Sequence, residues 1–150
     1  MRVEKDFKEF IELLNAHKVQ YLIVGGFAYS LYAIPRYTKD IDIWINPNYK
    51  NAGKMMKVLK DFGFVDINLN EKDFTDQENI IQLGIEPVRI DLVLSLEGLD
   101  FKKSWINKYE TSYGKEKCYF LSKQDLIINK QKTGRNQDLL DVEILKQTDE

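Results

Sequence analysis

Asp40-Ile41-Asp42-Ile43-Trp44-Ile45 is the stretch on which the fold turns. Side chains alternate between the two faces of a β-strand. Asp40 and Asp42 therefore share one face, and Ile41, Ile43 and Ile45 point the other way, into a core. Two carboxylates side by side repel each other unless positive charge sits between them. A divalent cation supplies that charge; the alternative is two exposed carboxylates at a strand edge. Upstream lies Gly25-Gly26 at a strand-to-helix junction. Without a Cβ, backbone N–H groups can approach a phosphate closely, and the following helix turns its positive end to the same point. The alternative there is a plain tight turn. Taken together, the two features point to phosphate chemistry.

Working outward, Phe7, Phe10, Ile11 and Leu14 recur at helical spacing and predict a helix over 4–17. Tyr21 to Val24 reads as a strand, and Phe27 to Ala33 as a helix stopped before Pro35. Tyr49 to Phe62 is helical, with Met55, Met56, Leu59 and Phe62 as its buried stripe, and Phe64 to Leu69 reads as a further strand. Glu78 to Gly84 and Val88 to Leu94 form an expected antiparallel pair around Glu86-Pro87. A short helix over Leu99 to Ile106 and a strand over 116–121 follow. Ser122-Lys-Gln-Asp125 has the form of an acidic capping box, with Leu121 and Leu126 as its hydrophobic staple. That helix runs to Gly134, and a last one spans Asn136 to Lys146. The reading is an α/β (α+β) chain: one domain over 1–150, with a mixed, mostly antiparallel sheet flanked by helices.

Asp91 stands between Ile90 and Leu92, on the face shared with Arg89 and Val93. A carboxylate buried there unpaired costs several kcal/mol. A metal, Arg89 or another basic neighbour compensates it. If this strand lies beside the first, Asp40, Asp42 and Asp91 converge. Three carboxylates suit two ions about 3.5–4 Å apart, and oxygen-only donors favour Mg²⁺ or Mn²⁺ over zinc.

Composition narrows the field further. The chain has 150 residues, 43% hydrophobic and 31% charged, with net charge −2, one Cys and one His. That charge carries no global signature of nucleic-acid binding. Cys118 cannot form an internal disulfide and reads as core; His17 reads as a helix-end residue. Zinc sites and Cys-His or Ser-His-Asp catalysis need more such residues than are present. No run reaches the roughly 20 apolar residues of a membrane span, and the charged N-terminus lacks the apolar core of a signal peptide. A cytoplasmic location is expected.

The residues Val24-Gly25-Gly26-Phe27-Ala28, Pro35-Arg36-Tyr37-Thr38-Lys39-Asp40-Ile41-Asp42 and Arg89-Ile90-Asp91-Leu92 resemble the polymerase-β-like nucleotidyltransferase superfamily. The likeness is to its small bacterial branch of antibiotic nucleotidyltransferases and of nucleotidyltransferase toxins from toxin–antitoxin and phage-defence systems. The stretch from Leu121 to Ile127, with Lys130, Gly134-Arg135, Asp138-Leu139 and Asp141-Val142, extends the likeness over roughly 19–146. Gly26 stands where that superfamily often has Ser, so no hydroxyl is offered there.

The resemblance implies transfer of a nucleoside monophosphate from an NTP to a hydroxyl, with pyrophosphate released. Asp40, Asp42 and Asp91 would be the catalytic and metal-binding residues, with two Mg²⁺ or Mn²⁺ ions. Gly25 and Gly26 would cradle the phosphates, with Arg36, Thr38, Lys130 and Arg135 as further phosphate contacts. The helices over 122–146 would pack beside the active site. An RNA or tRNA end, a small molecule or a protein hydroxyl would be the acceptor, and an antitoxin a partner. The rival readings are an inactive nucleotide- or partner-binding module and a phosphohydrolase using water.

The residues by themselves leave the C-terminal roles open. Lys130 follows Leu126 and Ile127 on one helix face and either snorkels to the cleft or is solvated. Asp138 and Asp141 share a helix face and are expected to pair with Lys130 or Arg135. Lys115, Lys117, Lys123, Lys130, Lys132 and Arg135 against Glu116 and Asp125 give a local basic excess of four, either a solvated face or a landing surface for an RNA end. Tyr29, Tyr32, Tyr37 and Trp44 are base-stacking candidates whose alternative is core packing.

Overall fold

The computed structural model describes residues 5–36, 40–64, 68–85 and 88–148. Among these, six strands form one sheet in the order β3-β4-β2-β1-β6-β5. They are β1 (Tyr21–Val24), β2 (Asp40–Ile45), β3 (Ile80–Ile85), β4 (Val88–Val93), β5 (Tyr109–Tyr113) and β6 (Glu116–Phe120). The β1–β2, β3–β4 and β5–β6 pairs are antiparallel, while β2–β4 and β1–β6 are parallel. The sheet is therefore mixed and mostly antiparallel, as expected.

Helix α1 (Lys5–Ala16) buries the stripe its periodicity predicts. In α3 (Tyr49–Phe62) Met55 and Leu59 are buried as expected, Met56 and Phe62 only partly, and Ala52 and Val58 complete the buried face. Phe7, Phe10, Ile11 and Leu14 of α1 and Met55, Val58 and Leu59 of α3 join Ile41, Ile43, Ile45, Ile90 and Leu92 in one core. Each such buried side chain contributes about 1.5–3 kcal/mol. Asn48 caps α3 by accepting from Asn51 N, and Gly63 ends it in the left-handed conformation.

Helix α4 (Phe101–Ile106) lies on the opposite face of β2 from the isoleucines: the Phe101 ring meets Trp44 edge-on at 5.0 Å. Helices α5 (Lys123–Thr133) and α6 (Asn136–Gln147) close the chain as a hairpin. Ser122 accepts from Asp125 N, which makes the Ser122 half of the expected capping box.

Two expectations need correction, and one strand was missed. Helix α2 spans Gly25–Tyr32, so the glycines form its first turn rather than a turn before it. The strand expected at Phe64–Leu69 does not form at Phe64 or at 68–70, and 65–67 lie outside the described residues. Asn70 instead accepts from Lys72 N while Asp73 accepts from Asn70 N, starting a 3-10 turn over Glu71–Phe74. Such local side-chain bonds compete with a strand ladder. Strand β5 was not foreseen. Its register, Tyr113 opposite Glu116, leaves Gly114-Lys115 as a two-residue hairpin loop with Gly114 at φ 68.

Candidate active site

The strand order brings the acidic residues together. Parallel pairing of β2 with β4 sets Asp40 opposite Arg89 and Asp42 opposite Asp91. Directly opposed residues share a face, so the three carboxylates and Arg89 lie on one side of the sheet. On the other flank of β2, Val24 is opposite Asp42. The chain thus leaves β1 and turns into α2 beside Asp42.

Gly25 makes that turn at φ 66, and a Cβ there would collide with Asp42 Oδ2. No side chain caps the start of α2. Its first backbone N–H groups have no intrahelical acceptors, and they lie beside the acidic cluster. Gly26 follows in the same first turn.

The guanidinium of Arg89 spans two of the three carboxylates. Its Nη2 donates to Asp40 Oδ2 at 2.8 Å and to Asp91 Oδ2 at 3.3 Å, and Nε donates to Asp91 Oδ1 at 3.1 Å. Asp42 has less help. Burial first, then the charges of Asp91 and Asp40, push its carboxyl up to about 6, against the lowering effect of Arg89. Burial and the two neighbouring carboxylates together oppose ionisation of Asp42, and Arg89 offsets them only in part.

Two observations bear on a metal. The donors are hard carboxylate oxygens from neighbouring strand positions, suited to Mg²⁺ or Mn²⁺, and Arg89 acts as a stand-in cation among them. Yet among the described residues no group of three His, Cys, Asp or Glu side chains stands at metal-holding spacing. The donor chemistry suits a dication, and Arg89 is the cation bonded to two of the three carboxylates.

The other candidates form a second cluster, one helical turn along α2. Asp141, fully buried, accepts from Arg36 at 2.8 and 3.2 Å, from Lys130 Nζ at 2.8 Å and from Gln137 at 2.9 Å. Burial opposes its charge, but these bonds prevail and hold its carboxyl at about 2. Asp138, also at about 2, is held chiefly by Arg135 Nε at 2.7 Å and also by Thr133. Arg36 lies over the Tyr29 ring at 4.0 Å and Lys130 at 5.5 Å.

The expected pairing of Asp138 and Asp141 with Lys130 and Arg135 is present. Arg36, Lys130 and Arg135 are all engaged by carboxylates, so phosphate contact by any of them would share or replace those pairs. Thr38 and Tyr37 lie outside the described residues. Tyr29 and Trp44 are buried, and Tyr32 donates to Leu121 O. Gln137 went unnoticed in the sequence, though its i,i+4 spacing to Asp141 is the signal that finds it. Cys118 is core, its thiol pushed up to about 12 by burial and then by Glu116.

The six-stranded mixed sheet flanked by helices is a nucleotidyltransferase-like fold. The chain belongs to the family described as nucleotidyltransferase of unknown function (DUF6036), which matches residues 2–149. No curated protein matches the sequence.

Among solved structures, the chain is similar to the lincosamide antibiotic adenylyltransferase LnuA with lincomycin bound. The TM-score is 0.61 at 21% identity, over 96% of each chain. It is also similar to a Thermotoga maritima protein taken to be a nucleotidyltransferase, with TM-score 0.59 at 18% identity over 91% of this chain and 88% of that one. The antibiotic-resistance factor ANT(2'')-Ia gives TM-score 0.59 at 10% identity, over 93% of this chain and 80% of that one. At these identities the likeness is one of fold. No helix among the described residues is long and apolar enough to cross a membrane.

Proposed function

We propose that the protein is a metal-dependent nucleotidyltransferase that moves a nucleoside monophosphate from an NTP to a hydroxyl acceptor and releases pyrophosphate. The observation that carries this is the register that sets Asp42 opposite both Asp91 and Val24, with Gly25 packed on its carboxylate. When bound, Mg²⁺ or Mn²⁺ would neutralise the triphosphate and the leaving pyrophosphate. Asp40, Asp42 and Asp91 would hold the ions. Asp91 would also receive the proton of the acceptor hydroxyl, in keeping with the superfamily likeness. The N–H groups at the start of α2 would receive phosphate oxygens.

The basic excess near the C-terminus gives little support to an RNA landing surface. Lys117 pairs with Glu110, Lys123 donates to Thr148 O, and Lys130 and Arg135 are held by Asp141 and Asp138. The likeness to LnuA, an adenylyltransferase of lincosamide antibiotics, supports a small-molecule hydroxyl as acceptor. Labelled NTPs incubated with separate RNA, protein and metabolite fractions test this. Label carried by RNA instead would overturn the acceptor assignment.

Asp42→Ala tests the chemistry. It is expected to abolish Mg²⁺-dependent NTP consumption while circular dichroism and thermal midpoint show a folded protein. Retained turnover would remove Asp42 from the catalytic set. One observation favours a second reading, a nucleotide-binding module without turnover: Arg89 occupies the carboxylates a metal would need. Nucleotide binding without pyrophosphate release would establish that module.

A further inference from the structure

Arg89 is tied to the acidic trio by sequence and by register. It stands two residues before Asp91, so both side chains leave β4 on the same face. It is also the cross-strand partner of Asp40. From that position one guanidinium reaches both carboxylates. The two Oδ2 atoms, from Asp40 and from Asp91, converge on a single atom, Nη2, at 2.8 and 3.3 Å. Two carboxylates aimed at one common point is also what a dication demands, at about 2.0–2.1 Å for Mg²⁺. The side chains are partly covered, at 30% exposure for Arg89, 27% for Asp40 and 12% for Asp91, so the charge of each is felt more strongly than at an open surface.

We propose that Arg89 is a resident counterion that occupies the metal position of the acidic trio, and that a dication enters by taking over the oxygens Arg89 holds. This rests on the metal-dependent reading above and adds a positioning residue to it. Arg89 keeps Asp40 and Asp91 together without metal, at the cost of competing with the metal for them. Its planar fork explains why arginine suits the position: Nε and Nη2 grip Asp91 while Nη2 also reaches Asp40, which a lysine ammonium on a flexible stem does not reproduce. A guanidinium cannot lose its proton at any working pH, so it leaves only by swinging out.

The test is Mn²⁺ binding to the nucleotide-free protein, by calorimetry and by electron paramagnetic resonance, with thermal midpoints measured in chelator and in Mn²⁺. Arg89→Gln is expected to lower the midpoint in chelator and to tighten Mn²⁺ binding about tenfold, since hydrogen bonds to charged groups no longer oppose entry. Arg89→Lys keeps the charge but not the fork, and is expected to tighten binding by about threefold with a smaller loss of midpoint. Should Arg89→Gln fail to fold, Arg89→Lys decides alone. Mn²⁺ affinity that is unchanged or weaker in the folded variants would overturn the proposal.

Asp42→Ala separates the two levels. Wild-type Mn²⁺ binding that depends on Asp42 but is indifferent to Arg89 sinks the counterion and leaves the metal site standing. Wild-type binding that is absent, or equal in Asp42→Ala, sinks both.

Discussion

Gly25 lies with its Cα against the carboxylate of Asp42, with no room for a methyl group between them. Position 25 also sits at φ 66, where a side chain costs about 1–2 kcal/mol. Gly25→Ala is therefore expected to lose about 2–3 kcal/mol, a fall of about 4–12 °C in thermal midpoint for a chain of this size. It should also weaken NTP binding more than the midpoint alone explains, because Asp42 must shift. Scanning calorimetry and nucleotide titration of the same variant check both. An unshifted midpoint would mean that α2 starts elsewhere.

Asp42 is charged at neutral pH only against the preference of its surroundings. With its folded carboxyl at about 6 and an ordinary value of 3.8, folding favours the protonated form. The stability this group contributes is present below about pH 4 and is lost as pH rises through about 6. In chelator, Asp42→Asn is accordingly expected to be more stable than wild type at pH 7.5, by about 2 kcal/mol after allowance for partial exposure. The difference should vanish below pH 4. Added Mn²⁺ should stabilise wild type and not the variant. Thermal midpoints across pH 3.5 to 8, with and without metal, give the comparison.

Asn51 is almost fully buried and satisfied. Its Oδ1 accepts from Gln20 N at 2.8 Å, and its Nδ2 donates to Gln20 O at 3.1 Å and Asn46 O at 3.0 Å. It joins the residue before β1 to the residue after β2, at the end of those strands away from Asp42. Asn51→Ala takes this partner from Gln20 N and Asn46 O, while Gln20 O keeps its bond from Asn46 N, and the change is expected to cost about 2–4 kcal/mol. Mn²⁺ affinity of the folded fraction should stay within twofold of wild type. A larger change would place the strand ends in the site's mechanics.

What the sequence disclosed was what periodicity and punctuation encode. Alternation set the faces of β2 and β4, so the convergence of Asp40, Asp42 and Asp91 followed once the strands proved to be neighbours. Ser122 and Gly134 marked the ends of α5 in the sequence; Asn48 and Gly63 mark those of α3 in the same way but went unread. Sheet order is a tertiary fact, and no local pattern announces that β4 lies beside β2. Strand β5 is an edge, polar and largely exposed, so it lacks the apolar alternation that marks a strand. The pairing of Lys130 with Asp141 was anticipated from the face that Asp138 and Asp141 share on α6. The reach of Arg36 across 105 positions to the same carboxylate was not.

Asp141 is the acceptor on which Arg36, Lys130 and Gln137 meet. Removing its charge leaves Lys130, only 12% exposed, with Asp138 at 3.7 Å as its remaining carboxylate partner. Breaking a buried ion pair by deleting one partner costs about 3–5 kcal/mol. Asn keeps the shape and one acceptor oxygen, so Asp141→Asn is expected at the low end, about 3 kcal/mol. The acid limb should change as well. A carboxyl held at about 2 contributes stability above about pH 4 that is lost as pH falls towards 2. The variant should therefore unfold less steeply with acid than wild type, although it starts from lower stability. A double-mutant cycle with Arg36→Met separates the pair from the rest of the cluster. Coupling above about 1 kcal/mol is expected for groups in direct contact, and coupling near zero would mean that Lys130 and Gln137 hold Asp141 without Arg36.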